Sequence, residues 1–243
     1  MISADEPLAV TTFVVSKIGE EPGACEDVVR VRQDSGVLRL AASDGATTSS
    51  FSREWAAQLA EWFCLLDHHP SDDEFLEALQ ALGQVWRADI ARRELPWHAE
   101  EKVRQGAFAT FLGVSIDEQS WRALALGDTC LFHVRAGTLL TSFPYVSAKE
   151  FAARPVLACS VSSPAADLKE HLRESAGAIE TGDVLIIATD GLAQWLLLKL
   201  EAEQPTWDLF ELPSEDRLAV VVERERRERR MRNDDVGCAW LRR

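Results

Sequence analysis

Gly182-Asp183-Val184-Leu185-Ile186-Ile187-Ala188-Thr189-Asp190-Gly191-Leu192 sets an uninterrupted apolar run directly before an Asp-Gly pair. A run of five apolar residues, bounded by turn residues and rich in β-branched side chains, reads as a strand buried on both faces. The aspartate that follows is then delivered to the edge of a sheet. Leu192 to Glu203 continues at helical spacing, so the order is strand, aspartate, helix.

Working outward in both directions, the same placement of an acid at a strand end recurs. Asp44 follows the apolar stretch Val37 to Ser43, Asp128 follows Trp121 to Leu126, Asp234 comes just before Val236 to Leu241, and Asp27 opens Val28 to Arg32. Ala9 to Ser16 reads as a further strand. Between the early strands and the middle of the chain, Trp55, Leu59, Trp62, Phe63 and Leu66 recur at helical spacing over Arg53 to Leu66, with Ser52 as the expected N-cap. A second helix is expected from Asp72 to Glu94, ended by Pro96. His68 and His69, beside Asp72 and Asp73, read as a polar loop between the two helices rather than a metal cluster, because no third ligand has suitable spacing.

From Gly106 the period changes to two, with Phe108, Thr110, Leu112, Val114 and Ile116 on one face, followed by Trp121 to Leu126 and Leu131 to Arg135. Short turns between such runs predict an antiparallel meander. Residues 141–181, broken by Pro144, Pro155 and Pro164, are expected to form a flap or insert outside the core sheet, with a short helix near Asp167 to Glu174. Glu215 to Arg230 is the last helix, and its arginine-rich end, Arg224 to Arg232, reads as a solvated face with cations near the helix C-terminus. Strands in runs and helices in pairs predict an α+β fold, a sandwich formed as one domain over residues 1–243.

Composition narrows the function classes. With 40 acidic against 26 basic side chains the net charge is -14, which repels phosphate backbones and excludes a general nucleic-acid binder. No stretch has the apolar length needed to span a bilayer, and the start of the chain lacks the basic and apolar regions of a secretory signal, so no membrane partner is expected. Five widely spaced cysteines with no Cys-x-x-Cys pair predict reduced thiols in a cytoplasmic protein. His98, His133 and His171 are scattered, Gly113 to Asp117 lacks the second glycine of a nucleophile elbow, and no Gly-rich phosphate loop is present.

What remains is the acid set. Asp27, Asp44, Asp128, Asp190 and Asp234 can converge on one edge of a sheet or sandwich, where uncompensated they would repel one another. Hard cations relieve that repulsion, and ligation by oxygen without His or Cys points to Mg²⁺ or Mn²⁺. Two such ions suit hydrolysis of a phosphate ester, and Gly45 can offer its carbonyl oxygen as a further ligand.

The order Glu26-Asp27, Ala42-Ser43-Asp44-Gly45-Ala46, Gly106 to Val114, Leu124 to Phe132, Gly182 to Leu192 and Asn233 to Gly237 resembles the type 2C family of metal-dependent serine/threonine protein phosphatases, in its bacterial form. The resemblance implies a four-layer α/β/β/α sandwich of two antiparallel sheets flanked by helix pairs. It also implies a site for two Mn²⁺ or Mg²⁺ ions and a third, weaker one. By the same resemblance Asp44 bridges both ions, Gly45 ligates through its carbonyl, Asp190 and Asp234 complete one site, Glu26 and Asp27 serve the other, and Asp128 serves the third ion. The substrate would be a phosphoserine or phosphothreonine protein and a partner Ser/Thr kinase the further candidate partner, with the chain a monomer. Several positions depart from the pattern, among them Thr47-Thr48-Ser49-Ser50 in place of the usual glycine pair after Asp44-Gly45. No arginine precedes Glu26, where Gly19-Glu20-Glu21-Pro22-Gly23 leaves Lys17 as the nearest cation in sequence; Asp235 and Gly237 replace the usual Asn and Thr; and Gln194 replaces an acid. The alternative reading is therefore a pseudophosphatase that binds phosphoproteins or a kinase without turnover.

Overall fold

In the computed structural model, residues 8–21, 23–34, 36–47, 49–93, 103–161 and 165–243 are described; Thr48, Glu94, Pro96, His98 and Pro164 lie outside the described residues. The strands, in chain order, are β1 (Val10–Val15), β2 (Asp27–Asp34), β3 (Val37–Asp44), β4 (Phe108–Ala109), β5 (Phe111–Ile116), β6 (Ser120–Leu126), β7 (Cys130–Arg135), β8 (Thr138–Phe143), β9 (Ala158–Cys159), β10 (Arg173–Ala178), β11 (Val184–Ala188) and β12 (Val236–Arg242). The helices are α1 (Ser52–Leu65), α2 (Asp72–Ala91), α3 (Ala165–Lys169), α4 (Asp190–Glu201) and α5 (Glu215–Arg227).

Two five-stranded antiparallel sheets carry the fold, one in the order β1-β12-β11-β7-β8 and the other β10-β6-β5-β3-β2, with β4 paired to β9 beside them. Period-two alternation divides each central strand between two layers. In β11, Val184, Ile186 and Ala188 face α4 and α5, whereas Leu185 and Ile187 face the opposite sheet. In β3, Leu38, Leu40 and Ala42 face the opposite sheet and Ala41 faces α1 and α2. Three apolar clusters therefore fill three gaps: helix pair against sheet, sheet against sheet, and sheet against helix pair. This is the four-layer α/β/β/α sandwich, with both faces of each sheet covered.

Several elements differ from the sequence reading. Ser52 is not the N-cap of α1 but its first residue; Phe51 caps in the left-handed conformation, and the Ser52 hydroxyl is committed to Glu26. The expected meander is broken, because β6 lies in one sheet and β7 in the other, and the turn between them crosses from sheet to sheet. The expected single strand from Phe108 splits at Thr110, whose side chain is drawn into the bonding of Asp44. Residues 141–181 are not wholly outside the sheets: β8 and β10 supply an edge strand to each, and among the described residues helix is found over a 3-10 turn at Ala148–Ala152 and over α3, which ends before the expected Glu174. The arginine-rich end of α5 is not simply solvated, since Glu225 and Arg226 are buried. All five cysteines are buried and unpaired.

Candidate metal centre

The two sheets bring their acids to one end of the sandwich. Asp27 is the first residue of β2 and Asp44 the last of β3, and antiparallel register sets them opposite each other. Asp128 sits on the turn that crosses between sheets. Asp190 opens α4 immediately after β11, and Asp234 lies just before β12, the neighbour of β11. One sheet thus contributes Asp27 and Asp44, the other Asp190 and Asp234, with Asp128 between them.

Local bonding fixes these positions. The amide of Asp44 donates to Thr110 Oγ1 at 2.8 Å, Thr110 Oγ1 and Thr129 Oγ1 are 2.6 Å apart, and the Thr110 amide donates to the Asp44 carbonyl at 2.9 Å. Thr189 Oγ1 donates to Asp27 Oδ2 at 2.7 Å, tying β11 to β2 across the sandwich. Gly127 precedes Asp128 with φ +104°, and an added Cβ would lie 2.8 Å from Thr110 Cγ2, so conformation and space both demand glycine there. Gly45, too, is tightly placed. It pairs with Ala109 and passes close to α1, where a Cβ would stand 2.9 Å from the Ser52 carbonyl carbon.

Charge at the site is unbalanced. Burial pushes the Asp44 carboxyl well above the usual carboxylate range, reinforced by Asp27, Asp190 and Asp128, and Asp44 shares a hydrogen bond with Asp27. Burial also raises Asp27, opposed by the Thr189 hydroxyl and reinforced by Asp190 and Asp235. Asp128 is pushed up to about 7 by burial and by Asp190. Burial raises Asp190 too, with Arg232 opposing and Asp234 reinforcing. Among the described residues no three acidic, His or Cys side chains gather closely enough to ligate one ion as they stand. The donor set nevertheless fits a hard divalent cation: it is all oxygen, and the acids around Asp44 are buried beside one another, a repulsion that such an ion would relieve.

Two partners were missed in the sequence. Arg232, read as part of a solvated stretch, donates from Nη1 to Asp190 Oδ2 at 2.7 Å and from Nη2 to Asp234 Oδ2 at 2.9 Å. Asp235 accepts the amides of Glu26 at 2.7 Å and Lys17 at 2.9 Å, holding the segment before β2 against the start of β12. Adjacency to Asp234 was the only signal for either. Glu26 stands beside Asp27, but its carboxylate accepts from Ser52 at the start of α1. Lys17, the nearest cation in sequence, is paired with Glu20 at 3.2 Å. A cleft of about 650 Å³ that Asp27 lines is also lined by Arg30, Arg53 and Glu54; of these cations Arg53, far from Asp27 in sequence, was the one concealed. His68 bonds Asp67 and Glu74 in the loop between α1 and α2, as a polar loop should.

Comparison with known proteins places this geometry in a family. The protein phosphatase 2C profile matches residues 21–232, a span that contains Glu26, Asp27, Asp44, Asp128 and Asp190 and ends two residues before Asp234. The fold is similar to the serine/threonine phosphatase of S. agalactiae (TM-score 0.64, 13% identity, covering 97% of this chain and 99% of that one). It is also similar to the serine/threonine phosphatase Stp1 of Staphylococcus aureus (0.65, 11%, 98% and 96%) and to PppA of Pseudomonas aeruginosa (0.61, 15%, 98% and 98%), described as a key regulatory component of T6SS. No curated protein matches this chain in sequence. With the family profile running over most of its length, and two sheets that meet at a cluster of acids, the chain belongs to the protein phosphatase 2C family.

Proposed function

We propose that this chain hydrolyses phosphoserine or phosphothreonine in a partner protein, using two Mn²⁺ or Mg²⁺ ions held between its sheets. The observation that carries the reading is the convergence of Asp27 and Asp44 from one sheet with Asp190 and Asp234 from the other, in a family of protein phosphatases. Asp44 would hold both ions, with the Gly45 carbonyl, Glu26 and Asp27 on one side and Asp190 and Asp234 on the other; Asp128 would serve a weaker third. When bound, the ions would lower the pKa of a water and spread the negative charge of the phosphate. The chain's own part is positional. Thr189 orients Asp27, Thr110 and Thr129 fix the backbone at Asp44, and Asp235 holds the Glu26 segment in place. Arg30 and Arg53 offer guanidinium groups that a phosphopeptide would meet in the adjoining cleft, which Asp27 and Glu54 also line. Five buried thiols and the absence of any helix long and apolar enough to cross a membrane, among the described residues, support work in the cytoplasm.

The second reading, a phosphoprotein- or kinase-binding pseudophosphatase, is favoured by the Arg232 guanidinium lying across Asp190 and Asp234. Hydrolysis of a phosphothreonine peptide with Mn²⁺, Mg²⁺ or EDTA, for the wild type beside Asp190→Asn and Asp44→Asn, separates the two. The expected outcome is turnover that needs either cation and falls to background in both variants. A folded wild type that binds the peptide without turning it over, at any metal concentration, would replace the first reading with the second.

A further inference from the structure

Among the described residues Arg232 is the one cation bonded to carboxylates of the acid cluster, while Arg226 donates to the backbone carbonyl of Asp234, and the setting of Arg232 is built. Asn233, its neighbour, is pinned on both sides of its amide: Oδ1 accepts from the Ile18 amide at 2.8 Å and Nδ2 donates to the Ile18 carbonyl at 3.1 Å. Met231, on the other flank, is buried. The backbone at Arg232 is therefore held while its side chain stays 48% exposed and reaches two carboxylates from different elements. The two carboxylates engaged are those of β11–α4 and of the start of β12, whereas the charges acting most strongly on Asp44 are all acidic. A cleft of about 420 Å³ beside Gly191 is lined by Gln194, Trp195, Arg226, Arg229, Arg230 and Arg232 itself, so a displaced guanidinium, repelled by these cations, would swing out into the solvent to which it is already half open.

We propose that Arg232 is a built-in counter-cation that competes with a divalent ion for Asp190 and Asp234, so that the Asp27–Asp44 side of the centre fills first and the Asp190–Asp234 side fills only as the guanidinium is displaced. The inference rests on the metal reading given above. The chemistry is that of exchange: a guanidinium donating to two carboxylates makes strong charge-assisted bonds, and an incoming cation must break them to use the same oxygens. Two unequal affinities follow, and activity becomes a function of divalent-ion concentration over the range of the weaker one.

Calorimetric titration of the EDTA-treated, dialysed chain with MnCl₂ tests this without reference to turnover, using wild type, Arg232→Gln, Arg232→Lys and Asp190→Asn. The expected result is two unequal sites in the wild type, with the weaker tightened by about tenfold or more in Arg232→Gln and by less in Arg232→Lys, which keeps the charge but loses the fork. Melting in EDTA supplies the independent readout: Arg232→Gln should melt below wild type there, because Asp190 and Asp234 lose their partner, and should regain the difference in saturating Mn²⁺. Unchanged or weaker Mn²⁺ binding in a folded Arg232→Gln overturns the inference and leaves the metal reading standing. If neither wild type nor Arg232→Gln binds Mn²⁺, and Asp190→Asn behaves identically to both, the metal reading falls with it.

Discussion

Glu225 is almost out of contact with water, yet its surroundings keep it charged. Its carboxylate accepts from Arg230 Nε at 2.9 Å and Nη2 at 2.7 Å and from Trp195 Nε1 at 3.1 Å, with Lys199 Nζ at 3.4 Å. Arg230 is the largest influence and outweighs burial, so the carboxyl is held down at about 2. An acid whose folded pKa lies below its unfolded value of about 4.3 contributes stability above that value and loses it as pH falls toward 2. Glu225→Gln should flatten this part of the stability curve, measured by urea unfolding from pH 5 down to pH 2.5; an unaltered slope would remove Glu225 from the account. Glu225→Ala should cost about 1–3 kcal/mol near neutral pH, since Trp195 Nε1 and the partly buried Lys199 lose their partner while the half-exposed Arg230 keeps Glu228. His133 shows a related economy of bonding. Trp121 Nε1 donates to His133 Nδ1 at 3.2 Å, which makes Nδ1 the acceptor and leaves Nε2–H to donate to Asp183 Oδ2 at 2.8 Å. The histidine read as scattered is thus a pin between β6, β7 and the segment before β11.

At the scale of elements, local sequence signals work where burial and capping agree. Ser71 and Glu74 form a reciprocal capping box at the start of α2, with Asp72 and Asp73 also in the first turn. Ser71→Ala should destabilise the protein by about 1 kcal/mol, seen as a lowered urea midpoint with unchanged slope. A shift indistinguishable from zero would mean that α2 is held by its buried face alone, through Phe75, Leu79, Trp86 and Ile90. The elements that the sequence hid are edge strands. β10 reads Arg-Glu-Ser-Ala-Gly-Ala and carries little apolar alternation, because one of its long sides has no strand partner and its residues are small or polar. α4 begins at Asp190 rather than Leu192, because the apolar period starts at Leu192 while the first turn is occupied by a charged residue and a glycine.

For the whole molecule, the layers share walls. β3 contributes to the inter-sheet cluster and to the α1–α2 cluster, and β11 to the inter-sheet cluster and to the α4–α5 cluster, so that loss of the middle layer removes support from both outer ones. Fully buried tryptophans report on each layer: Trp55 and Trp86 under α1 and α2, Trp121 between the sheets, Trp195 and Trp240 on the α4–α5 side. Urea unfolding followed by tryptophan fluorescence and by far-ultraviolet circular dichroism should therefore give one coincident transition. Leu40→Ala, which opens a cavity between the sheets, should lower both midpoints together by an amount equivalent to about 2–5 kcal/mol. Two separated transitions would show that the sheets unfold independently. The acid cluster depends on the same unity, because its carboxylates come in pairs from opposite sheets.

The sequence by itself determined the strand–aspartate–helix unit at Gly182 to Leu192, the helical faces of α1 and α2, and the presence of acids at strand ends, because period, propensity and turn chemistry act over neighbouring residues. It also carried the family resemblance, which a profile over residues 21–232 bears out, although the last motif, Asn233 to Gly237, lies beyond that span. Only the tertiary structure decided that β6 and β7 part company between sheets, which sets Asp128 between the two pairs of acids, and that Asp27 and Asp44 stand opposite each other. It alone placed Arg232 across Asp190 and Asp234, and Arg53 in the lining of the cleft that Asp27 also lines, although 42 positions separate Arg232 from Asp190 and 26 separate Arg53 from Asp27. Charges act through space, and no periodicity along the chain records which of them folding will bring together.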